Sequence, residues 1–190
     1  LDEATRTLRL RHGAGIEAAR VPLPARMRSS VMLVPAMLHR FGQARLEDDV
    51  TGCTLGVREL DPHIEVFRAF GAEVLQEPGA VVVRAPTRVR AADQWADYAS
   101  VTATENFVLC AAMAAGDSRL TNAACEPHVQ EFCRVLTLMG ARIDGLASSR
   151  LVVRGVDTLG GVEYTFEDDF HEVTTFLTEV RVPAGSRLVG

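Results

Sequence analysis

With 190 residues, 47% of them apolar, and a formal net charge of −5, the chain can bury a hydrophobic core, and its charge has the wrong sign for a nucleic-acid surface. No apolar run approaches the roughly 18 residues of a membrane span and no charged-then-apolar leader opens the sequence, so a cytoplasmic globular protein without a membrane partner is expected. All 20 basic residues are arginine, which excludes a catalytic lysine from this chain but suits phosphate and carboxylate recognition.

The chain opens on Leu1 rather than Met and is expected to be a piece of a longer protein. Residues 1–20 read as the back half of a repeat unit. In that reading Leu8-Arg9-Leu10-Arg11-His12-Gly13-Ala14-Gly15-Ile16-Glu17 supplies a helix end, a Gly-Ala closure and a strand. Ser29 to Gly42 predicts an apolar helix closed by glycine, followed by a strand at Ala44–Leu46.

The segment Thr51 to His63 then sets a thiol, Cys53, between Gly52 and Gly56, with Arg58, Asp61 and His63 close behind. The glycines favour an exposed loop, where a thiol beside a guanidinium can form thiolate or donate a proton. The competing reading is a buried structural cysteine next to a solvated charge cluster.

A helix through Phe67 ends at Gly71-Ala72 and is followed by two strands, the second at Ala80–Arg84. Val101 to Gly116 predicts a second apolar helix, with a strand at Ser118–Leu120. Another helix ends at Gly140-Ala141, a Val-rich strand follows at Arg150–Arg154, and a last helix is expected from about Glu172.

Gly71 and Gly140 are 140 − 71 = 69 residues apart, and the elements around them match in order. Each unit reads strand, helix, strand, helix, strand, strand. Residues 21–168 are expected to hold two such units of one domain, and residues 169–190 the truncated start of a second domain. The fold class is α/β (α+β), with βαβαββ units packed so that helices lie inside and sheets outside.

Corresponding helices then start at corresponding places, where N–H groups and dipoles favour anions. Candidate site segments therefore precede the helices, at 25–30, 52–61, 98–102, 124–128 and 167–172. Taken singly, Ser29, Ser30 and Thr102 read as helix caps. Cys110 and Cys133 fall on apolar helix faces and read as core, Cys125 as partly exposed, His39 as a helix-surface residue and His128 as a first-turn residue. The cysteine spacing fits no zinc site, and neither metal nor cofactor is implied.

An ordered set of short motifs runs through residues 20–177. It comprises Met27-Arg28-Ser29-Ser30, Arg40-Phe41-Gly42-Gln43, Gly52-Cys53-Thr54-Leu55-Gly56-Val57-Arg58, Asp61, His63, Ser100-Val101, Asn122-Ala123-Ala124, Glu126-Pro127, Leu138-Met139-Gly140-Ala141, Gly155-Val156, Leu159-Gly160-Gly161 and Thr175-Phe176-Leu177. In these the chain resembles the enolpyruvyl transferases, most of all the UDP-N-acetylglucosamine 1-carboxyvinyltransferase branch.

The resemblance implies two similar domains of βαβαββ units closing on substrates at their interface, this chain being most of one. It implies transfer of enolpyruvyl from phosphoenolpyruvate to a hydroxyl of UDP-N-acetylglucosamine, with release of phosphate, as in peptidoglycan precursor synthesis. By the same resemblance, Cys53 is the loop cysteine of protonation and product release, and Arg28 and Arg58 hold the anionic groups of phosphoenolpyruvate. Arg58, Asp61, His63, Ser100, Val101 and Thr102 line the uridine and diphosphate, and Glu126 and Asp169 lie near the sugar and the domain junction.

The chain departs from the family in reading Arg58-Glu59-Leu60-Asp61-Pro62-His63 for Arg-Pro-Val-Asp-Leu-His and Asp169-Phe170-His171-Glu172 for Asp-Arg-Ile-Glu. Its Thr102 replaces a glycine, and the family's N-terminal Lys-Asn pair has no counterpart. Two alternatives follow: a divergent enzyme acting on another uridine nucleotide such as UMP, and a non-catalytic nucleotide-binding or structural domain. Without the second domain, whose acid-base and anion-binding groups it lacks, the isolated chain is expected to be inactive.

Overall fold

A computed structural model describes residues 2, 4–11, 23, 27–47 and 60–179. A 3-10 turn at Arg28–Leu33 runs into α1 (Val34–Phe41), followed by β1 (Gln43–Glu47), α2 (Asp61–Ala69), β2 (Glu73–Glu77) and β3 (Ala80–Arg84). Next come β4 (Asp93–Trp95), α3 (Val101–Ala112), β5 (Asp117–Thr121), α4 (Pro127–Leu138), β6 (Arg142–Asp144), β7 (Arg150–Arg154) and α5 (Phe170–Glu179).

Two expectations change. The single helix expected over Ser29 to Gly42 is a 3-10 turn followed by a short α-helix, because Pro35, the second residue of α1, has no N–H to donate to an α-type ladder from the preceding turn. At the N-terminus, the helix end expected from Leu8 is not formed: Leu8–Arg11 have no regular structure, and Leu8 and Leu10 are exposed. Their apolar side chains alternate with arginines, a period of two that gives a helix no apolar face. The Gly13-Ala14 pair lies outside the described residues.

The strands form a three-stranded antiparallel sheet, β1-β3-β2, and a four-stranded sheet, β4-β5-β7-β6, in which only β4 and β5 are parallel. The order β1-β3-β2 is repeated in β5-β7-β6, and so is the register. Arg84 at the end of β3 faces Gln43 and Glu73, as Arg154 at the end of β7 faces Asp117 and Arg142.

Helices α2 and α4 also end alike. Gly71 (φ 85°) and Gly140 (φ 109°) take the left-handed conformation that a side chain resists. At the first, Gly71 N–H donates to Arg68 O (2.9 Å) and Ala72 N–H to Phe67 O (3.0 Å). At the second, Gly140 N–H donates to Thr137 O (2.9 Å) and Ala141 N–H to Leu136 O (2.9 Å). These paired bonds satisfy the last helical carbonyls and turn the chain into the next strand.

Helix α3 is the spindle of the core. It touches α1, α2 and α4 as well as β5 and β7, and Phe107, Val108, Ala111 and Ala112 are wholly buried. The Phe107 ring packs 5.0 Å from that of Phe70. Cys110 and Cys133 are buried as expected, and Cys125 is exposed. In β1, Ala44 and Leu46 are buried between exposed Gln43, Arg45 and Glu47; in β5, Ser118 and Leu120 are buried between exposed Asp117 and Arg119. Each sheet therefore turns one face to the helices and the other to water.

The outer faces carry ion pairs. Arg45 of β1 reaches Glu77 of β2 across the intervening β3, and Arg154 of β7 pairs with Asp144 of β6 at 2.6 Å. Such exposed pairs are worth about 0–1 kcal/mol each. His39, expected on a helix surface, instead directs its ring nitrogens at Thr87 O (3.3 Å) and Leu109 O (3.2 Å). The helices meet closely enough there for the ring to lie between two main-chain segments.

After β7 the chain doubles back along α4. Gly160 N–H donates to Met139 O (2.7 Å), Glu167 N–H to Glu131 Oε1 (2.8 Å), and Arg134 pairs with Glu167 (2.9 Å). This return delivers α5, which starts at Phe170, two residues before the position expected from sequence. Among the described residues no helix is long and apolar enough to cross a membrane.

Candidate functional site

The N-terminal ends of α2 and α3 meet the loop after β4 around an open cleft of about 140 Å³. Among the described residues its polar lining consists of Asp61, Glu65, Gln94, Asp97, Tyr98 and Ser100, along with Thr104, with no basic side chain. Tyr98 is 58% exposed. Three carboxylates accept hydrogen bonds from hydroxyls and ring N–H groups, and an open phenol ring offers a face for stacking.

Two residues expected in the site, Asp61 and Ser100, line this cleft together. Asp61 is the first residue of α2, where a carboxylate is favoured by the helix dipole. Ser100 also caps α3, its Oγ accepting from Ala103 N–H at 3.3 Å. Val101 is half-buried, and Thr102 is exposed on the first turn of α3. Cys53 and Arg58 lie outside the described residues.

His63, expected beside the substrate, is in the interior at 2% exposure. The helical period explains this: Val66, Phe67 and Phe70 follow His63 on the buried face of α2, while Asp61 and Glu65 occupy the opposite face. The wholly buried Asn106 of α3 determines the state of the ring. Its Nδ2 donates to Val31 O (3.3 Å) and lies 2.8 Å from His63 Nδ1. With the amide oriented by the Val31 carbonyl, Nδ2 is the donor, Nδ1 must accept, and the neutral ring carries its proton on Nε2, 3.4 Å from Thr102 Oγ1.

Burial, and secondarily the positive charge of Arg28, push the His63 pKa from 6.5 down to about 4. The half-buried Arg28 of the 3-10 turn thus acts electrostatically on a histidine whose helix borders the cleft. On the same central helix, burial pushes the Glu105 carboxyl up to about 7. Burial, with the Glu105 charge adding to it, pushes the Cys133 thiol up to about 11. Thr104 ties α3 to the segment before α4, its hydroxyl accepting from Ala124 N–H at 3.0 Å.

Glu126 and Asp169, the remaining candidates, lie at the starts of α4 and α5 and not in the cleft lining. Glu126 occupies the cap position of α4 without capping it, and its Oε2 is buried without a hydrogen-bond partner among the described residues. Asp169 accepts from His171 N–H at 2.9 Å and so orders the first turn of α5. Between them Phe170 stacks on His128, with ring centroids 5.2 Å apart and planes at 11°, and lies 4.0 Å from the His171 ring.

Sequence reasoning missed Asn106 and the roles of Glu65 and Gln94. Asn106 could have been noticed as an amide just before the apolar run Phe107 to Ala115, one helical turn after Thr102. Tyr98 belonged to a candidate segment, but nothing in its spacing announced an exposed ring beside a cleft.

A family model described as EPSP synthase (3-phosphoshikimate 1-carboxyvinyltransferase) matches residues 2–187. Among solved structures, the chain is similar to the enolpyruvyl transferase NikO from Streptomyces tendae, with 26% identity and a TM-score of 0.67 over 83% of this chain and 38% of that one. It shares its fold with EPSP synthase from Acinetobacter baumannii in two structures, each with 19% identity and a TM-score of 0.56 over 74% of this chain. Those matches cover 32% and 33% of the Acinetobacter chains, so this chain spans well under half the length of each of these proteins.

Proposed function

Because this chain belongs to the EPSP synthase family of enolpyruvyl transferases, we propose that it supplies one domain of an enzyme that transfers enolpyruvyl from phosphoenolpyruvate to a hydroxyl of a uridine nucleotide, releasing phosphate. The sequence resemblance favours UDP-N-acetylglucosamine as acceptor, hence a cytoplasmic enzyme of peptidoglycan precursor synthesis. The observation that carries the nucleotide reading is the cleft, lined by Asp61, Glu65 and Asp97 with Tyr98 at its rim. Its three carboxylates suit hydroxyl and N–H donors better than a phosphorylated carboxylic acid such as 3-phosphoshikimate. A ribose and a pyrimidine ring would be accepted, the hydroxyls and N–H donating to carboxylates and the base lying on Tyr98.

In this reaction the acceptor hydroxyl adds to the carbon of phosphoenolpyruvate that bears the phosphate, while the methylene carbon gains a proton. A proton then leaves the new methyl group as the C–O bond to phosphate breaks, restoring the enol ether. The sequence needs an acid, a base and cations around phosphate and carboxylate. We assign the acid to Cys53 and the cations to Arg28 and Arg58. The remaining groups would come from a second domain outside this chain.

A UMP acceptor is favoured by one observation. Phe170, where the family has arginine, fills an aromatic cluster with His128 and His171 and offers no charge to a second phosphate or a sugar.

Titration of the chain with UMP and UDP-N-acetylglucosamine, followed by protein nuclear magnetic resonance, tests the reading. Saturable shifts are expected at Asp61, Tyr98 and Ser100. Tyr98→Ala is expected to weaken UMP roughly 5- to 150-fold, the range that corresponds to about 1–3 kcal/mol for a base stacked on an aromatic ring. No saturable shift in a folded protein would overturn it.

A further inference from the structure

We propose that Asn106 is a positioning residue for the nucleotide site, a single buried carboxamide that holds the Arg28-bearing turn, the start of α2 and the start of α3 in one arrangement. The ligand in this inference rests on the uridine-nucleotide reading above; the linkage itself rests on hydrogen bonds.

One hydrogen of Asn106 Nδ2 goes to Val31 O, in the turn that Arg28 opens. The other goes to His63 Nδ1, on the helix whose first residue, Asp61, lines the cleft. The proton this leaves on His63 Nε2 points at Thr102 Oγ1, two residues after Ser100, which also lines the cleft. Three chain segments far apart in sequence, each carrying a residue assigned to substrate, thus meet at one side chain.

The position does not read as a choice made for stability. Asn106 is 0% exposed in a helix whose other buried residues, Thr104 apart, are Phe, Val, Cys and Ala, and its Oδ1 is buried without a hydrogen-bond partner among the described residues. A leucine, branched at the same carbon, would avoid that orphaned acceptor but would hold neither Val31 nor His63. The geometry an amide provides here is the orientation of three site segments.

The test uses the whole chain with Asn106→Leu and the isosteric Asn106→Asp. Hydrogen exchange in Asn106→Leu is expected to be at least about tenfold faster at Ser30, His63 and Ile64, whose amides are bonded to Met27 and Leu60 carbonyls, while β5 and β7 keep their wild-type rates. Acceleration spread evenly over the molecule, or none, overturns the proposal. In Asn106→Asp, whose ionised carboxylate only accepts, the ring proton is expected to move from Nε2 to Nδ1 once that carboxyl ionises, seen in the imidazole nitrogen-15 shifts followed with rising pH. An unchanged signature overturns it as well, and this variant provides the answer if the leucine variant does not fold.

UMP affinity is expected to fall on the order of tenfold in Asn106→Leu, since displaced binding groups lose their fit to the ligand. Wild-type protein that binds no UMP would sink the uridine reading and leave the exchange result to decide on Asn106. Wild-type binding that is unchanged in Asn106→Leu would sink the positioning role alone.

Discussion

Gly155→Ala is expected to destabilise the chain by about 3 kcal/mol or more, at or beyond the upper end of overpacking costs, and to lower its denaturation midpoint accordingly. Gly155 follows β7 and lies directly on the main chain that leaves α3. Its N–H donates to Gly116 O (3.0 Å), and the next N–H, of Val156, donates to Ala112 O (2.8 Å). A Cβ at this position would fall inside the carbonyl oxygen of Ala114 and 2.8 Å from its carbonyl carbon. Neither partner is the free end of a side chain, so the collision can be relieved only by breaking the two hydrogen bonds or moving the end of the central helix.

The first repeat unit provides the control. Ala85 follows β3 as Gly155 follows β7, and its N–H donates to Gly42 O (2.9 Å) just as Gly155 N–H donates to Gly116 O. There a Cβ is already accommodated, so Ala85→Gly should cost less than about 1 kcal/mol. Urea unfolding of both variants checks the pair, and a Gly155→Ala midpoint equal to wild type would contradict it.

The contribution of His63 to stability is expected to fall by on the order of 3 kcal/mol on acidification from pH 6.5 to pH 4. In the unfolded chain the imidazole takes up its proton near 6.5; in the folded chain it does so only near 4, held neutral by burial and by the charge of Arg28. Between these values the unfolded state binds more protons, so stability rises with pH across the window, is fully present above 6.5 and is lost below. Protonation would also turn Nδ1 into a donor facing the donor Nδ2 of Asn106, breaking the link to α3.

Glu105 works in the opposite sense. Its carboxyl, raised to about 7, makes the folded state hold a proton that the unfolded state has released above 4.5. Wild type alone would therefore show a blunted dependence. Comparison with His63→Asn, which keeps an acceptor for Asn106 but does not titrate, isolates the histidine contribution: the stability difference should widen in favour of the variant as pH drops. Parallel curves from pH 7 to pH 4 would contradict the assignment of a buried neutral ring.

Periodicity and glycine placement made most of the architecture legible. Ala80–Arg84 and Arg150–Arg154 are strands with the bounds read from their valines, and the two Gly-Ala helix ends share one hydrogen-bond pattern because only glycine takes their backbone angle cheaply. What stayed hidden depended on partners distant in the chain. The sequence shows an imidazole two residues from Asp61, not that one turns inward to Asn106, 43 residues away, and the other outward to the cleft. Tyr98 is one exposed aromatic among several until Asp61 and Glu65 of α2 are brought beside it. The upward shifts of Glu105 and Cys133 likewise arise only once α3 and α4 pack together.

The most direct test of the central claim is a pair of calorimetric titrations of the folded chain, with UMP and with 3-phosphoshikimate. A cleft that takes the uridine end of the acceptor predicts saturable heat with UMP, reduced in Tyr98→Ala, and none with 3-phosphoshikimate. Binding of 3-phosphoshikimate with no response to UMP would contradict the account and assign the chain a phosphorylated cyclohexene acid as acceptor.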